Sequence, residues 1–95
     1  MPLNKIAVLG LGKVGTLAAK LLHRGGFDVT GFDSRAPQDP LPFAVRTLDV
    51  LSDDGARATT TGFDAVLSCL PYRLNARIAP AAHARGIHYF DLTED

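Results

Sequence analysis

Lys5-Ile6-Ala7-Val8-Leu9-Gly10-Leu11-Gly12-Lys13-Val14-Gly15 is the stretch that decides the fold. A continuous apolar run that ends in glycine reads as a strand buried on both faces. The glycines that follow each have a physical task. Gly10 permits a tight turn, Gly12 lets backbone approach an anion without an intervening side chain, and Gly15 lets a helix pack closely on the strand. Beyond them Val14, Leu17, Ala18, Leu21 and Leu22 fall at i, i+3, i+4, i+7 and i+8, which predicts one apolar helix face. Arg24 and Gly25-Gly26 supply the stop. Asp28-Val29-Thr30-Gly31-Phe32 then reads as a second strand closing on Asp33. Together these residues form a strand–helix–strand unit with a right-handed crossover.

Working outward, Pro37, Pro40 and Pro42 exclude a helix before the third strand, expected around Phe43 to Thr47. Ser52-Asp53-Asp54 can cap a short helix, weakened by Gly55 and by Thr59 to Thr61. Phe63 to Leu70 is a further buried strand, stopped by Pro71. Leu74, Ile78, Ala81 and Ala82 share a helical face that ends at Arg85-Gly86, and Pro80 inside it predicts a kink or a split. Ile87 to Leu92 is the last strand. The expected fold class is α/β: a Rossmann-type doubly wound parallel sheet of about five strands in order 3-2-1-4-5, as one domain over residues 1–95.

Composition narrows the function. Ten basic residues balance ten acidic ones in a 95-residue chain, so neither nucleic acid nor an anionic membrane is an expected partner. A lone cysteine, Cys69, excludes an internal disulfide and favours a cytoplasmic setting. No apolar run approaches the roughly 18 residues of a spanning helix. Lys13 and the glycines interrupt what superficially suggests a signal peptide.

The glycine turn puts unpaired amide groups and the positive end of a helix dipole before an anion. With a buried strand before it and an amphipathic helix after it, Gly10 to Gly15 reads as a pyrophosphate loop, Leu11, Lys13 and Val14 included. Asp33, eighteen positions after Gly15, can accept hydrogen bonds from both adenosine ribose hydroxyls, which favours NAD. Arg35 could instead pair with a 2′-phosphate, with Ser34 adding a hydrogen bond, and this keeps NADP open. Cys69 has no neighbour in sequence that would lower its pKa and reads as a packing residue. His23, His83 and His88 form no metal-ligand or triad spacing.

Phe63-Asp64-Ala65-Val66-Leu67-Ser68-Cys69-Leu70-Pro71-Tyr72 and His88-Tyr89-Phe90-Asp91-Leu92-Thr93-Glu94-Asp95 add a more particular signal. With the glycine loop, they make nearly the whole chain resemble the N-terminal domain of the saccharopine dehydrogenase family. Members of that family exchange hydride with a nicotinamide cofactor while making or breaking a carbon–nitrogen bond in an amino-acid-type substrate. The resemblance implies Asp49 and Val50 beside adenine, although Asp49 also suits an ordinary strand-end turn. It implies Cys69, Leu70 and Pro71 along the ribose and pyrophosphate side. Asp91, Thr93, Glu94 and Asp95 would lie toward the nicotinamide end. The proline-rich loop departs from the family plan, where a helix usually follows the second strand. No residue is assigned a catalytic or metal-ligating role. The substrate domain is expected outside these residues, so the chain alone should bind a dinucleotide without turning over substrate, and a homodimer is the oligomer the resemblance allows.

A second class shares the first thirty-five residues: non-catalytic regulatory nucleotide-binding domains of potassium transport systems. They too begin with a strand, a Gly-x-Gly-x-x-Gly turn, a helix and a strand-end aspartate. The Tyr89-to-Asp95 ending separates the two classes in favour of the dehydrogenases.

Overall fold

A computed structural model describes residues 3–92, and the side chains of all of these but 72 and 73. The five strands are β1 (Lys5–Leu9), β2 (Asp28–Asp33), β3 (Ala44–Thr47), β4 (Ala65–Ser68) and β5 (His88–Asp91). They form one sheet in the order β3-β2-β1-β4-β5, and every neighbouring pair is parallel. The helices are α1 (Lys13–Arg24), α2 (Asp53–Thr60) and α3 (Tyr72–Ala84). The order and the parallel pairing match the doubly wound expectation.

The central strand is apolar on both faces because helices cover both. Ile6 and Val8 join Ala19 of α1 in one core cluster, and Ala7 and Leu9 join Ile78 of α3 in the other. Alternate residues of a strand point to opposite faces, so α1 covers one side and α3, with Ala56 of α2, the other. Between β2 and β3, residues 34–43 contain no helix, as the three prolines require.

Three expectations need correction. The buried face of α1 is Gly15 and Ala19 flanked by half-buried Ala18 and Leu22, whereas Val14, Leu17 and Leu21 are 61%, 59% and 56% exposed. Small residues let the helix axis approach the sheet, and this close seat turns the large side chains to the outer flank. In α2, Gly55 is no weak point. A methyl group there would stand 1.9 Å from the Asp49 carbonyl oxygen, so only glycine lets the helix reach the preceding turn. Ser52 caps this helix by accepting from the Gly55 amide at 2.9 Å, and Thr60 donates back to the Ala56 carbonyl at 2.7 Å. Pro80, finally, does not split α3, since it lies within one continuous helix. Ile78 and Ala82, both fully buried, hold the turns on either side, and that burial offsets the missing amide bond.

Asp64 ties the start of β4 to β1 by accepting from the Asn4 and Lys5 amides at 2.9 and 2.8 Å. The Lys5 amide, then the Asn4 amide, holds its carboxyl below the usual carboxylate pKa. A lowered folded-state pKa contributes stability that is complete above the unfolded value and lost as pH falls through the folded one. Asp64→Asn is therefore expected to lower the thermal midpoint slightly at neutral pH and to flatten its decline in the acid range. Thermal unfolding followed by circular dichroism between pH 2 and 7 would check this. Parallel pH profiles for parent and variant would exclude it.

Candidate functional site

The carboxyl ends of β1 and β2 meet at the glycine turn. Gly10 adopts φ +87°, which a side chain would strain, and its amide donates to the Phe32 carbonyl at 2.8 Å. Gly12 is the N-cap of α1, no side chain among the described residues caps that end, and its first turn holds no acidic residue. The first amide groups of α1 thus keep their donors for something else. A methyl on Gly12 would meet none of the described atoms within 4 Å, so open space lies beside this helix start. At Gly15 the same construction falls 1.7 Å from the Gly10 carbonyl oxygen. One glycine leaves room for a ligand, and the other lets helix and turn touch.

Asp33 closes the turn from the side. One carboxylate oxygen accepts from the Leu11 amide at 2.6 Å, and the other accepts from the Arg35 amide at 3.1 Å. An ionised carboxylate offers about four acceptor positions, so each oxygen can still take a hydroxyl donor. Thr16, which no sequence motif singles out, braces the turn from within by donating to the Leu11 carbonyl at 3.0 Å.

An open groove of about 1040 Å³ runs from this turn between α1 and the proline-rich loop. Leu11, Gly12, Lys13, Asp33, Ser34 and Arg35 line it, as do Lys20 and Leu41, which sequence reasoning misses. Their part depends on the path of residues 34–43, and no periodicity encodes that path. Val14 stands exposed on the outer flank of α1 and is absent from this groove.

The other sequence-derived residues lie apart from the groove. Asp49 forms a turn, its carboxylate accepting from the Leu51 amide at 3.0 Å and its carbonyl from the Ser52 hydroxyl at 2.8 Å. The Leu48 amide, donating to the Asp33 carbonyl at 2.9 Å, sets this turn beside the end of β2. Val50 is buried with Leu9, Phe32 and Ile78, so only its backbone could face a ligand. Cys69 and Leu70 pack against the glycine turn instead: a methyl on Gly10 would lie 3.2 Å from both the Cys69 carbonyl oxygen and the Leu70 side chain. Burial pushes the Cys69 thiol above its ordinary pKa, consistent with packing and not with nucleophilic attack. Asp91 is exposed at the end of β5, and the readings placed on Thr93, Glu94 and Asp95 lie outside the described residues.

Comparison with known proteins fits this geometry. The family model for the saccharopine dehydrogenase NADP binding domain matches residues 6–94. Apo saccharopine dehydrogenase (L-Glu forming) from Saccharomyces cerevisiae superposes with a TM-score of 0.81 at 20% identity, over 93% of this chain and 21% of that one. A short-chain dehydrogenase/reductase superfamily protein from Agrobacterium tumefaciens with bound NAD gives a TM-score of 0.79 at 21% identity, over 93% of this chain and 32% of that one. The Kef CTD of Shewanella denitrificans in its AMP-bound form gives 0.76 at 17% identity, over 95% and 58%. At these identities the superpositions establish the fold alone, and the chain spans between a fifth and somewhat over half of each. No curated protein sequence matches.

Proposed function

The chain belongs to the saccharopine dehydrogenase NADP binding domain family, and from that premise we propose that it is the cofactor-binding part of an oxidoreductase acting on a carbon–nitrogen bond of an amino-acid-type substrate. The observation that carries the reading is the uncapped start of α1 facing open space at Gly12. Backbone donors with the positive end of a helix dipole suit a pyrophosphate, and no side chain among the described residues competes for them.

In this reading Gly10 to Gly15 hold the pyrophosphate, and the free acceptor positions of Asp33 take the ribose hydroxyls. Ser34 and Arg35 stand where a 2′-phosphate would be met, so this rim has partners for either NAD or NADP. Asp49 and Val50 serve the adenine side through the turn beside Asp33, and Cys69 to Pro71 serve the ribose and pyrophosphate on the nicotinamide side. A bound nicotinamide supplies hydride exchange with a substrate carbon. The residues of this chain bind and orient it, and contacts to the substrate belong to the whole protein of which this domain forms a part.

Asp33→Ala removes both an acceptor for ribose and the anchor of the Leu11 amide. It is expected to weaken NAD by about 1.5–3 kcal/mol, the range for hydrogen bonds to a charged group, and NADP by less. Calorimetric titration with each cofactor tests this. Equal losses would mean that the carboxylate acts only through the loop, and no loss would remove it from the site. The broader reading is tested by titrating the chain with NADH and NADPH, then assaying the whole protein with saccharopine, lysine and carboxylated polyamines. A chain that binds neither cofactor overturns it.

The AMP-bound Kef neighbour favours a second reading, a regulatory nucleotide-binding domain without catalysis. AMP binding tighter than binding of either dinucleotide would select it.

A further inference from the structure

Beneath the end of β4 lies a polar cluster that the groove does not use. Ser68 is fully buried and Asn75, on α3, is 6% exposed. The Ser68 hydroxyl donates to Asn75 Oδ1 at 2.5 Å and accepts from the Leu70 amide at 3.3 Å. The Tyr89 hydroxyl approaches Ser68, is itself buried, and makes no hydrogen bond among the described residues. Buried polar groups cost stability unless they are paired, so a serine and an asparagine in a place that alanine and leucine could fill call for an explanation.

Their position offers one. Two sets of hydrogen bonds hold the turns at the carboxyl ends of β1 and β4, and they share no residue, although the turns touch where Cys69 and Leu70 meet Gly10. The glycine turn is held by Gly10 to Phe32, Leu11 to Asp33 and Thr16 to Leu11. The turn from β4 into α3 is held by the Cys69 amide on the Leu9 carbonyl at 2.8 Å, the Leu74 amide on the Pro71 carbonyl at 2.9 Å, and Leu70 on Ser68. The Ser68 hydroxyl is bonded both to this turn and to the helix after it, because Asn75 sits one turn into α3. We infer that Ser68 and Asn75 are positioning residues that set the Cys69–Pro71 turn against the nicotinamide-ribose half of the dinucleotide, through hydrogen bonds separate from those that hold the glycine turn. This rests on the cofactor reading above.

Separate anchors predict a separable effect. Ser68→Ala and Asn75→Ala should each weaken NADH and NADPH by roughly three- to tenfold, the range of one or two net hydrogen bonds, and leave ADP affinity within about twofold. Tyr89→Phe, which removes a hydroxyl lying beside Ser68 but outside hydrogen-bond geometry, should have a smaller effect than either alanine variant. Calorimetry on variants whose thermal unfolding remains cooperative gives the comparison. Should both alanine variants fail to fold, the parent still decides: the Leu70 amide resonance should shift with NADPH and stay in place with ADP. Equal losses for ADP and dinucleotide, no loss at all, an equal effect of Tyr89→Phe, or a Leu70 amide that ignores NADPH would each overturn the inference. A parent chain that binds ADP but no dinucleotide overturns it while leaving the glycine turn as a nucleotide site. A parent that binds none of the three overturns the cofactor reading with it.

Discussion

Gly15→Ala is expected to cost about 3 kcal/mol or more of folding stability, the upper range for overpacking a fitted interior, and to take nucleotide binding with it. The added carbon would lie 1.7 Å from the Gly10 carbonyl oxygen and 2.9 Å from its carbon. Both are backbone atoms, so no rotamer change relieves the clash, and either α1 must lift from β1 or the turn must open. Lifting α1 strips cover from Ala19, which is fully buried, and opening the turn breaks the Gly10 bond to Phe32. In a domain of this size such a loss lowers the thermal midpoint by on the order of 10–20 °C. Gly55→Ala is the informative comparison. Its added carbon falls 1.9 Å from the Asp49 carbonyl oxygen, so stability should fall by a similar amount, while the glycine turn itself is untouched. Urea denaturation of both variants, with NADPH binding measured on whatever remains folded, separates the two. A Gly15→Ala chain with parental stability would mean that helix and turn do not meet at this glycine.

The same pair of glycines divides what is legible in the sequence from what is not. The tasks of Gly10, Gly12 and Gly15 follow from a spacing in which strand, turn and helix must succeed one another, so the turn and the strand order can be read directly. Gly55 looks like a helix breaker because propensity counts only the helix, and its close neighbour at Asp49 is a tertiary contact. The inward face of α1 misleads for a related reason. Hydrophobic periodicity weighs Val14, Leu17 and Leu21 heavily and Gly15 and Ala19 hardly at all, yet close packing on a sheet favours the small residues. Pro80 shows the converse, a local rule outweighed by the burial of Ile78 and Ala82. In the site, Asp33 is legible as an acidic strand tip, but its bond to the Leu11 amide is not, since nothing in the sequence sets the turn 2.6 Å from that carboxylate. Lys20 and Leu41 depend on where the three prolines carry the chain. Ser68 and Asn75 meet only because β4 and α3 pack together, and no local pattern encodes that pairing.

Gly12→Val should separate what Gly15→Ala loses together: abolish binding and leave the fold alone. Gly12 has φ −73° and ψ −161°, an extended conformation that valine adopts without strain. Its side chain would enter space where nothing lies within 4 Å, so no protein atom must move. Valine is a poorer N-cap than glycine, but no side-chain cap is lost, because none exists there among the described residues, and the narrower unfolded ensemble offsets much of the cost. The thermal midpoint should therefore stay within about 2–3 °C of the parent, the scale of a few tenths of a kcal/mol. Binding should fall at least a hundredfold, about 2.7 kcal/mol, because the isopropyl group occupies the position from which the first amides of α1 would meet a phosphate. Calorimetry with NADH and NADPH, beside thermal unfolding of the same preparation, reads both quantities. Retained affinity would move the phosphate site away from the start of α1. Lost affinity together with a large fall in the midpoint would mean that the open space at Gly12 is needed by the fold itself. Loss of binding in a chain that unfolds like the parent is the outcome that follows from an uncapped helix start held open for a ligand.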